Sequence, residues 1–467
     1  MIPLPLSTIA ELTGGVLHTG RPETVVGGPV VIDSRAVEPG ALFAAFKGER
    51  ADGHDFAAAA LAAGAAAVLA QRPFGAPGEP SGPAVIVDDV QKALGLLARG
   101  VLTRLPGTTV IGVTGSAGKT STKDLIAQLV RHAGETIAPV GSFNNEIGLP
   151  LTALRADEGT RHLVLEMGAR GVGHIAYLAH IARPRIGVVL NVGSAHIGEF
   201  GSQEMVARAK GELVEAVPAQ GTAVLNADDP LVRAMAARTA AKVVLFGRAP
   251  DAAVRAVDES LDDAGRARFT LVTPEGTAPV ALRLHGAHAV ANALAAAAVA
   301  RETGMEPAAV AGALGAAEPA SRWRMEVGES PDGVTVVNDA YNANPESVRA
   351  ALDTVGHMAR GRRAFAVLGE MAELGAAAMA EHAKIGQHVA RSGFAGLVVV
   401  GANAAPMAEG AGQVGSWTGE CVQVDDVGAA LTALRERLRP RDVVLVKGSR
   451  VAGMERVAAG LLGEAGE

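Results

Sequence analysis

The sequence predicts an α/β protein with mostly parallel sheets. Short runs rich in Val, Ile and Leu alternate with amphipathic helical patterns from about residue 108 onward. Polar and glycine-rich residues follow these runs, as they do where parallel strands end at a ligand-binding edge. Because the chain has 467 residues and one domain takes about 150, we expect three domains.

Two breaks divide the chain into the segments 1–106, 107–320 and 321–467. The first break is the pair Pro106-Gly107, and the second precedes Ser321. In the first segment we expect a helix over 7–14 that begins at a hydroxyl cap, and alanine-rich helices over 56–70. Central strands are expected at 109–113, 162–165, 185–190, 222–225 and 242–246. Strands of the last segment are expected at 334–338, 363–368, 396–400 and 442–446.

Composition excludes several classes of protein. The net charge of -7 carries no basic patch of the kind that binds nucleic acid, so we expect small-molecule partners. The single cysteine, Cys421, fits a reducing cytoplasm. The N-terminus has no basic leader and no apolar run reaches about 18 residues, so we expect a cytoplasmic protein without a membrane span. No long apolar edge requires a partner, and a monomer is expected.

The segment 112–121 has the features of a phosphate-binding loop. It lies between a β-branched run and a helical pattern, and its glycines let backbone N–H groups surround an anion. Lys119 supplies a charge, and the Thr120 hydroxyl can ligate magnesium. A glycine turn with a chance lysine is the alternative, since the glycine spacing differs from the usual motif. The predicted nucleotide-binding residues are Gly115, Ser116, Ala117, Gly118, Lys119, Thr120 and Ser121.

Other polar residues follow the central strands or lie on helices. Glu166 and His196 could hold a divalent metal near the phosphates, or could be hydrogen-bonded parts of the structure. Lys210 lies on a predicted helix, where an isolated lysine is by default a solvated charge. His288 and Asn292 are four residues apart and therefore share a helical face, either as a contact site or as a buried pair.

Together these motifs resemble the Mur ligases, which extend the peptide of a peptidoglycan precursor. The resemblance rests on 115–121, 141–150, 165–168, 191–196, 209–211 and 286–292, and it extends from about residue 33 to 456. It implies an N-terminal α/β domain that binds UDP, a central P-loop ATPase and a C-terminal Rossmann-like domain. The segments 338–345, 369–375 and 446–450 resemble the branch of the family that adds D-alanyl-D-alanine to a UDP-N-acetylmuramoyl tripeptide.

The resemblance also implies a reaction. The tripeptide carboxylate attacks the γ-phosphate of ATP, and the amine of D-alanyl-D-alanine then captures the acyl phosphate. Lys119 is expected at the β- and γ-phosphates and Thr120 at the first of two Mg²⁺ ions, while Glu166 and His196 are expected to help hold magnesium near the acyl phosphate. Lys210 matches the lysine that carries a carbamate, as N6-carboxylysine, in related ligases.

Further roles are carried over by the same resemblance. His288 and Asn292 are expected near the nucleotide, and Arg322, with Arg324 as the alternative, near its phosphates. The remaining assignments are Asp339 and Asn342 at the ribose edge, Asn144 and Asn145 at the muramyl peptide, Ser34 and Arg35 at the uridine diphosphate, and Lys447 and Arg450 at the substrate carboxylates.

Two other interpretations remain open at this stage. One is a different amide ligase, either another Mur-type enzyme or a folylpolyglutamate synthetase. The N-terminal segment and the stretch 369–375 argue against the folate enzyme. The other is a nucleotide-binding scaffold without catalysis, which would not need Lys119, Thr120, Glu166, His196 and Lys210 together.

Overall fold

The computed structural model describes residues 1–48, 51–75, 82–193 and 197–464. Its three larger sheets draw their strands from separate stretches of the chain, which follow one another in sequence. A two-stranded antiparallel ribbon near the N-terminus completes the β structure of the described residues.

The N-terminal sheet has the strand order β2-β7-β6-β5-β4, and β1 pairs with β3. The elements of this segment are β1 (Leu4–Pro5), α1 (Leu6–Thr13), β2 (Val16–Thr19), β3 (Val25–Val26), β4 (Val30–Val31), β5 (Leu42–Ala44), α2 (Ala57–Ala62), β6 (Ala67–Ala70), β7 (Ala84–Ile86) and α3 (Val90–Thr103).

Two predictions for this segment are wrong. Helix α1 begins after Pro5 and has no side-chain cap, although Gly14 ends it in the left-handed conformation as expected. The alanine-rich stretch 56–70 forms only one short helix, because its last four residues are the buried strand β6. Strand β6 pairs in parallel with β5 and β7, so pairing on both sides overrides the helical preference of alanine.

The central sheet has nine strands among the described residues, in the order β16-β15-β14-β13-β12-β11-β8-β10-β9. The five predicted strands are present within one residue at each end. The strands are β8 (Thr109–Thr114), β9 (Thr136–Ile137), β10 (His162–Glu166), β11 (Ile186–Val189), β12 (Thr222–Asn226), β13 (Lys242–Gly247), β14 (Val254–Leu261), β15 (Arg266–Thr273) and β16 (Gly276–His285). The helices are α4 (Lys119–Val130), α5 (Gly148–Ala153), α6 (His174–Ala182), α7 (Ile197–Phe200), α8 (Gln203–Ala216), α9 (Pro230–Ala234), α10 (His288–Glu302) and α11 (Pro307–Ala316).

Strands β14, β15 and β16 are an antiparallel extension that the sequence analysis missed. Strand β15 alternates exposed and buried residues, which is the period-two pattern of a half-buried strand. The buried face packs on α10 and α11 in the central core. The sheet is therefore parallel at its centre and antiparallel along one edge.

The C-terminal sheet has the order β17-β18-β22-β19-β20-β21, with β17 antiparallel and the other pairs parallel. The four predicted strands are present, and β17 and β21 at the edges were missed. The elements are β17 (Glu326–Glu329), β18 (Thr335–Asn338), α12 (Pro345–Met358), β19 (Ala364–Leu368), α13 (Ala378–Arg391), β20 (Gly396–Val400), α14 (Pro406–Gly412), β21 (Glu420–Val424), α15 (Val427–Arg437), β22 (Val443–Lys447) and α16 (Glu455–Leu462).

Helix α10 shows how alanine-rich sequence is used in the central core. Eleven of its residues are buried, and it packs against α4 and the strands beneath. Small side chains bring these backbones close, which places the start of α10 beside the loop before α4. No helix in the described ranges combines the length and the apolar character that crossing a bilayer requires.

Helices α13 and α14 cross at glycine. A methyl group on Gly386 would overlap the carbonyl oxygen of Met407, and one on Gly410 would overlap that of Ala383. Backbone therefore meets backbone at this crossing, and neither helix can move aside without disturbing the C-terminal core.

We expect Gly386→Ala to lower the free energy of unfolding of the C-terminal segment by about 1–3 kcal/mol, because the added methyl overpacks the crossing. Urea unfolding followed by tryptophan fluorescence measures this, since both tryptophans, Trp323 and Trp417, lie in that segment. Gly412→Ala is the matched control, because a methyl there meets no atom within 4 Å. Equal unfolding midpoints for the two variants would contradict the packing argument.

Candidate active site

A cavity of about 730 Å³ lies between the central and C-terminal sheets. On the central side it is bounded by the loop before α4, by the end of β10 and by the start of α10. On the other side it is bounded by the segments that follow β18 and β22. Two sheet edges rich in polar side chains thus face one space, as expected for open α/β sheets.

The loop before α4 is shaped for an anion. Gly118 precedes the helix with φ 81, and a Cβ there would lie 2.7 Å from Oδ1 of Asn292. Only glycine fits both constraints. The N-terminus of α4 therefore opens toward the cavity, where its unpaired N–H groups favour negative charge. Lys119 Nζ donates to the carbonyl oxygen of Gly115 at 2.9 Å, so its charge lies at the same place.

Asn191 holds this loop from the neighbouring strand end. Its Oδ1 accepts from the N–H of Ala117 at 2.9 Å, and its Nδ2 donates to the carbonyl of Ala117 at 3.1 Å. The N–H of Gly193 donates to Ser116 Oγ at 2.9 Å. Asn191 was not predicted as a site residue, although its place directly after β11 was the available signal.

The Glu166 carboxylate is the most enclosed acid of the cavity, at 1% exposed. Its Oε2 accepts from the Thr120 hydroxyl at 2.8 Å, and its Oε1 accepts from Ser142 Oγ at 2.8 Å and from Asn144 Nδ2 at 2.7 Å. Hydroxyl and carboxylate oxygens beside a phosphate site are donors that suit Mg²⁺. The described residues contain no cluster of three His, Cys, Asp or Glu that could hold a metal by itself.

Lys210 is buried, at 4% exposed, and the default interpretation as a surface charge is wrong. It lines the cavity, and no described residue is recorded as its hydrogen-bond or ion-pair partner. Burial lowers the pKa of its amine well below the usual value, and repulsion by Lys119 lowers it further. Both effects favour the neutral form of the amine.

Arg324, rather than Arg322, reaches the cavity. Its guanidinium donates to Thr120 Oγ1 at 2.9 Å and lies 4.2 Å from the centre of the Tyr341 ring. Arg322 is exposed, and its guanidinium lies 5.8 Å from the centre of the Trp323 ring. Of the two arginines expected near the nucleotide, the alternative, Arg324, is therefore the one at the cavity. Trp323 and Met325 have φ angles of 60° and 51°, in the left-handed region. This backbone directs the Arg322 and Arg324 side chains to different sides of the chain.

Asp339 and Lys447 form a buried pair at the far wall. Lys447 Nζ donates to Asp339 Oδ2 at 2.5 Å and to the carbonyl of Asn342 at 2.8 Å. Asp339 Oδ1 also accepts from the N–H of Met325 at 3.1 Å. Burial lowers the pKa of Lys447, while Asp339 opposes that shift. Both side chains line the cavity, but each is already engaged by the protein.

The structure brings most other predicted site residues to this cavity. Those that line it are Ser116, Ala117, Gly118, Ser121, Asn144, Asn145, His288, Asn292, Asn342 and Arg450. His288 remains accessible, although its enclosed position lowers its pKa. Gly115 supports the loop from beneath, where a Cβ would lie 2.9 Å from Leu190.

Three predicted residues need separate mention. Ser34 and Arg35 form a 3-10 turn of the N-terminal segment, where Arg35 pairs with Asp33, and they do not line the cavity. His196 lies outside the described residues. Seven further cavity residues were not predicted: Ser142, Glu146, Arg170, His174, Glu346, Glu373 and Ser449. His174 and Glu346 lie in the first turns of α6 and α12, and the others lie in loops. The motif stretches 141–150, 369–375 and 446–450 were the available signal for Ser142, Glu146, Glu373 and Ser449.

Comparison with known families matches three segments of the chain. The Mur ligase middle domain matches residues 113–300, and the Mur ligase, glutamate ligase domain matches residues 323–450. The description "Mur ligase family, catalytic domain" matches residues 29–101. Each segment overlaps one of the three larger sheets.

Curated relatives match over the whole length. The UDP-N-acetylmuramoyl-tripeptide--D-alanyl-D-alanine ligase of Mycobacterium tuberculosis is 49% identical, with 99% of this chain and 98% of the relative covered. The ligase of the same name from Escherichia coli is 36% identical, with 99% of each chain covered.

Solved structures agree with these relatives. The structure of MurF from Acinetobacter baumannii has a TM-score of 0.88 at 29% identity and covers 99% of both chains. The MurF ligase of Thermotoga maritima in complex with ADP has a TM-score of 0.80 at 31% identity and covers 93% of this chain and 97% of its own. By the matched segments and the full-length identity, this chain belongs to the Mur ligase family.

Proposed function

We propose that this protein joins D-alanyl-D-alanine to a UDP-N-acetylmuramoyl tripeptide with hydrolysis of ATP. The product is the UDP-N-acetylmuramoyl pentapeptide, formed through an acyl phosphate with release of ADP and phosphate. The observation that carries the proposal is one cavity with a phosphate loop, a buried carboxylate and a buried lysine on one side, and Arg324 on the other. The names of the full-length relatives support the same reaction.

The chemistry requires two anions to approach each other. A peptide carboxylate must reach the γ-phosphate of ATP, and their mutual repulsion must be offset by cationic groups. Lys119 and the N-terminus of α4 act on the phosphates from the central sheet, and Arg324 acts from the C-terminal segment. Because the groups come from both sides, the geometry is complete only when the two sheets stand together as they do here.

The oxygen donors around Thr120 and Glu166 would hold one Mg²⁺ ion, and a carbamate on Lys210 together with His196 would provide ligands for a second. When bound, such ions neutralise charge on the phosphoryl oxygens. The Thr120 hydroxyl and the Glu166 carboxylate already lie 2.8 Å apart, which fits ligation by both. Ser142 and Asn144 orient the carboxylate from its other oxygen, so its position is fixed in advance.

We also propose that Lys210 carries a carbamate as N6-carboxylysine. Carbon dioxide reacts with a neutral amine, and the lowered pKa of Lys210 supplies that form. The nitrogen forms a bond to the carbon, one C=O π bond becomes a carboxylate, and a proton leaves to water. The product is an anion beside Lys119, where a protonated lysine would be repelled.

Substrate positions follow from the cavity walls. Asn144 and Asn145 line the side at which the muramyl peptide enters, and Arg450 borders the C-terminal side, where the dipeptide would arrive. Ser34 and Arg35 lie at the N-terminal segment and would contact the uridine diphosphate. We therefore propose that residues 1–106 bind the UDP end of the acceptor, residues 107–320 bind ATP and residues 321–467 bind the amine donor.

Two broader assignments complete the proposal. The ATP and UDP-linked substrates that it names are cytoplasmic molecules, so we place the reaction in the cytoplasm. One chain supplies both walls of the cavity, so we propose that a monomer is sufficient for catalysis.

Phosphate release with different amine donors tests the reaction itself. With ATP, Mg²⁺ and UDP-N-acetylmuramoyl tripeptide present, we expect release with D-alanyl-D-alanine and little with D-alanine, D-glutamate or diaminopimelate. Mass spectrometry should show the pentapeptide product. Preferred use of a single amino acid would point instead to another Mur-type ligase.

Arg324→Ala should lower kcat by about 100- to 1000-fold, because it removes a cation from the transferring phosphoryl group. Arg322→Ala is the matched control, and it should change kcat by less than about threefold because Arg322 does not line the cavity. Steady-state kinetics of both variants provide the comparison. A larger loss for Arg322→Ala would show that the assignment to Arg324 is wrong.

Carbamylation of Lys210 can be observed directly. With ¹³C-labelled bicarbonate, the wild-type protein should give a carbamate carbon signal that fades as pH falls, because protonation removes the reactive amine. Lys210→Arg should lose this signal and at least about 100-fold in kcat, since arginine keeps the charge but cannot form the adduct. Lys384→Arg, at an exposed position of α13, should retain both. A signal that survives in Lys210→Arg would contradict the assignment.

A further inference from the structure

A second polar cleft, of about 580 Å³, lies at the opposite edge of the central sheet. It is bordered by the first residues of β8, β10, β11, β12 and β13, whereas the active cavity is bordered by the ends of the central strands. Strand β10 runs from His162 at this cleft to Glu166 at the active cavity, a distance of about 13 Å at 3.3 Å per residue. The two spaces are therefore separate, and a ligand of one does not occupy the other.

The floor of this cleft contains a buried imidazole. His162 is 7% exposed, and its Nδ1 has no hydrogen-bond partner among the residues that the structure describes. Burial lowers the pKa of His162, so its ring is neutral and carries one N–H donor. A buried polar ring without a partner is uncommon unless water or a ligand satisfies it.

Cationic groups surround this floor. Arg185 lies at the cleft with an exposed guanidinium, and no carboxylate of the described residues is recorded as its partner. Lys242 donates to Glu302 at 2.8 and 3.0 Å, and Arg301 also contacts Glu302 at 3.3 Å. The Thr222 hydroxyl donates to Glu302 at 3.0 Å. Among the described residues that line the cleft, the one carboxylate is Glu302, and Lys242 and Arg301 neutralise it. The positive charge of Arg185 is therefore not compensated by a carboxylate of the cleft.

We propose that this cleft binds a compact oxyanion of the inorganic phosphate class. The fork of N–H groups on Arg185 matches two phosphate oxygens, and Lys242 and His162 offer donors from the other sides. The remaining volume accepts a phosphate group carried on a small metabolite as well as the free ion. None of these side chains takes part in the ATP cavity, so the site is additional to the reaction proposed above.

Calorimetric titration of the full-length protein with inorganic phosphate tests the site, with Mg²⁺ and adenylyl imidodiphosphate saturating the ATP cavity. We expect binding to the wild type and at least a tenfold loss of affinity in Arg185→Ala. The control is Arg268→Ala, which removes an exposed arginine from β15 outside the cleft and should leave the affinity unchanged. The Arg185 side chain makes no hydrogen bond or ion pair with the described residues, so equal melting temperatures are expected for both variants.

Crystals soaked in phosphate give an independent measurement. Density beside Arg185 and His162 in the wild type, absent from Arg185→Ala, would support the proposal. Absence of binding, an affinity that Arg185→Ala leaves unchanged, or phosphate found only next to Lys119 would each overturn it. Titration with a phosphate monoester such as glycerol phosphate then separates the two sources, because tighter binding than that of free phosphate identifies a carried phosphate group.

Discussion

The hydrogen bond between Thr120 and Glu166 is the contact on which the candidate site depends. It joins the first turn of α4 to the end of β10, and Arg324 approaches the same hydroxyl from the C-terminal segment. A carboxylate at 1% exposure is costly to bury unless its oxygens are satisfied, and here Thr120, Ser142 and Asn144 satisfy both. The same arrangement leaves the oxygens fixed where magnesium and phosphate would meet.

Contacts between the central and C-terminal segments hold the cavity closed around this point. Asn344 donates to the carbonyl of Ser116 at 3.4 Å, and Ser321 Oγ donates to Asp124 at 2.6 Å. Within the central segment, Gln128 also exchanges two hydrogen bonds with the backbone of Glu318, just before the break. The polar contacts between the segments can be broken and remade at modest cost, as an enzyme that must admit three substrates requires.

The sequence predicted those parts of the site that local pattern determines. The strand, loop and helix around Gly118 and Lys119 follow from glycine spacing and periodicity, and the shared face of His288 and Asn292 follows from helical geometry. Parts that depend on packing between distant residues were missed. Strand β6 is strand only because two neighbours pair with it, and Lys210 is buried only because the cavity closes over it. Arg324 rather than Arg322 lines the cavity because of backbone angles that no pattern records.

Those backbone angles are held at an energetic cost. Trp323 and Met325 lie in the left-handed region, which costs of order 1 kcal/mol or more for each residue without a glycine's freedom. The turn that carries Arg324 to Thr120 is therefore strained, and the contacts on either side of it must outweigh that cost for the guanidinium to stay at the hydroxyl.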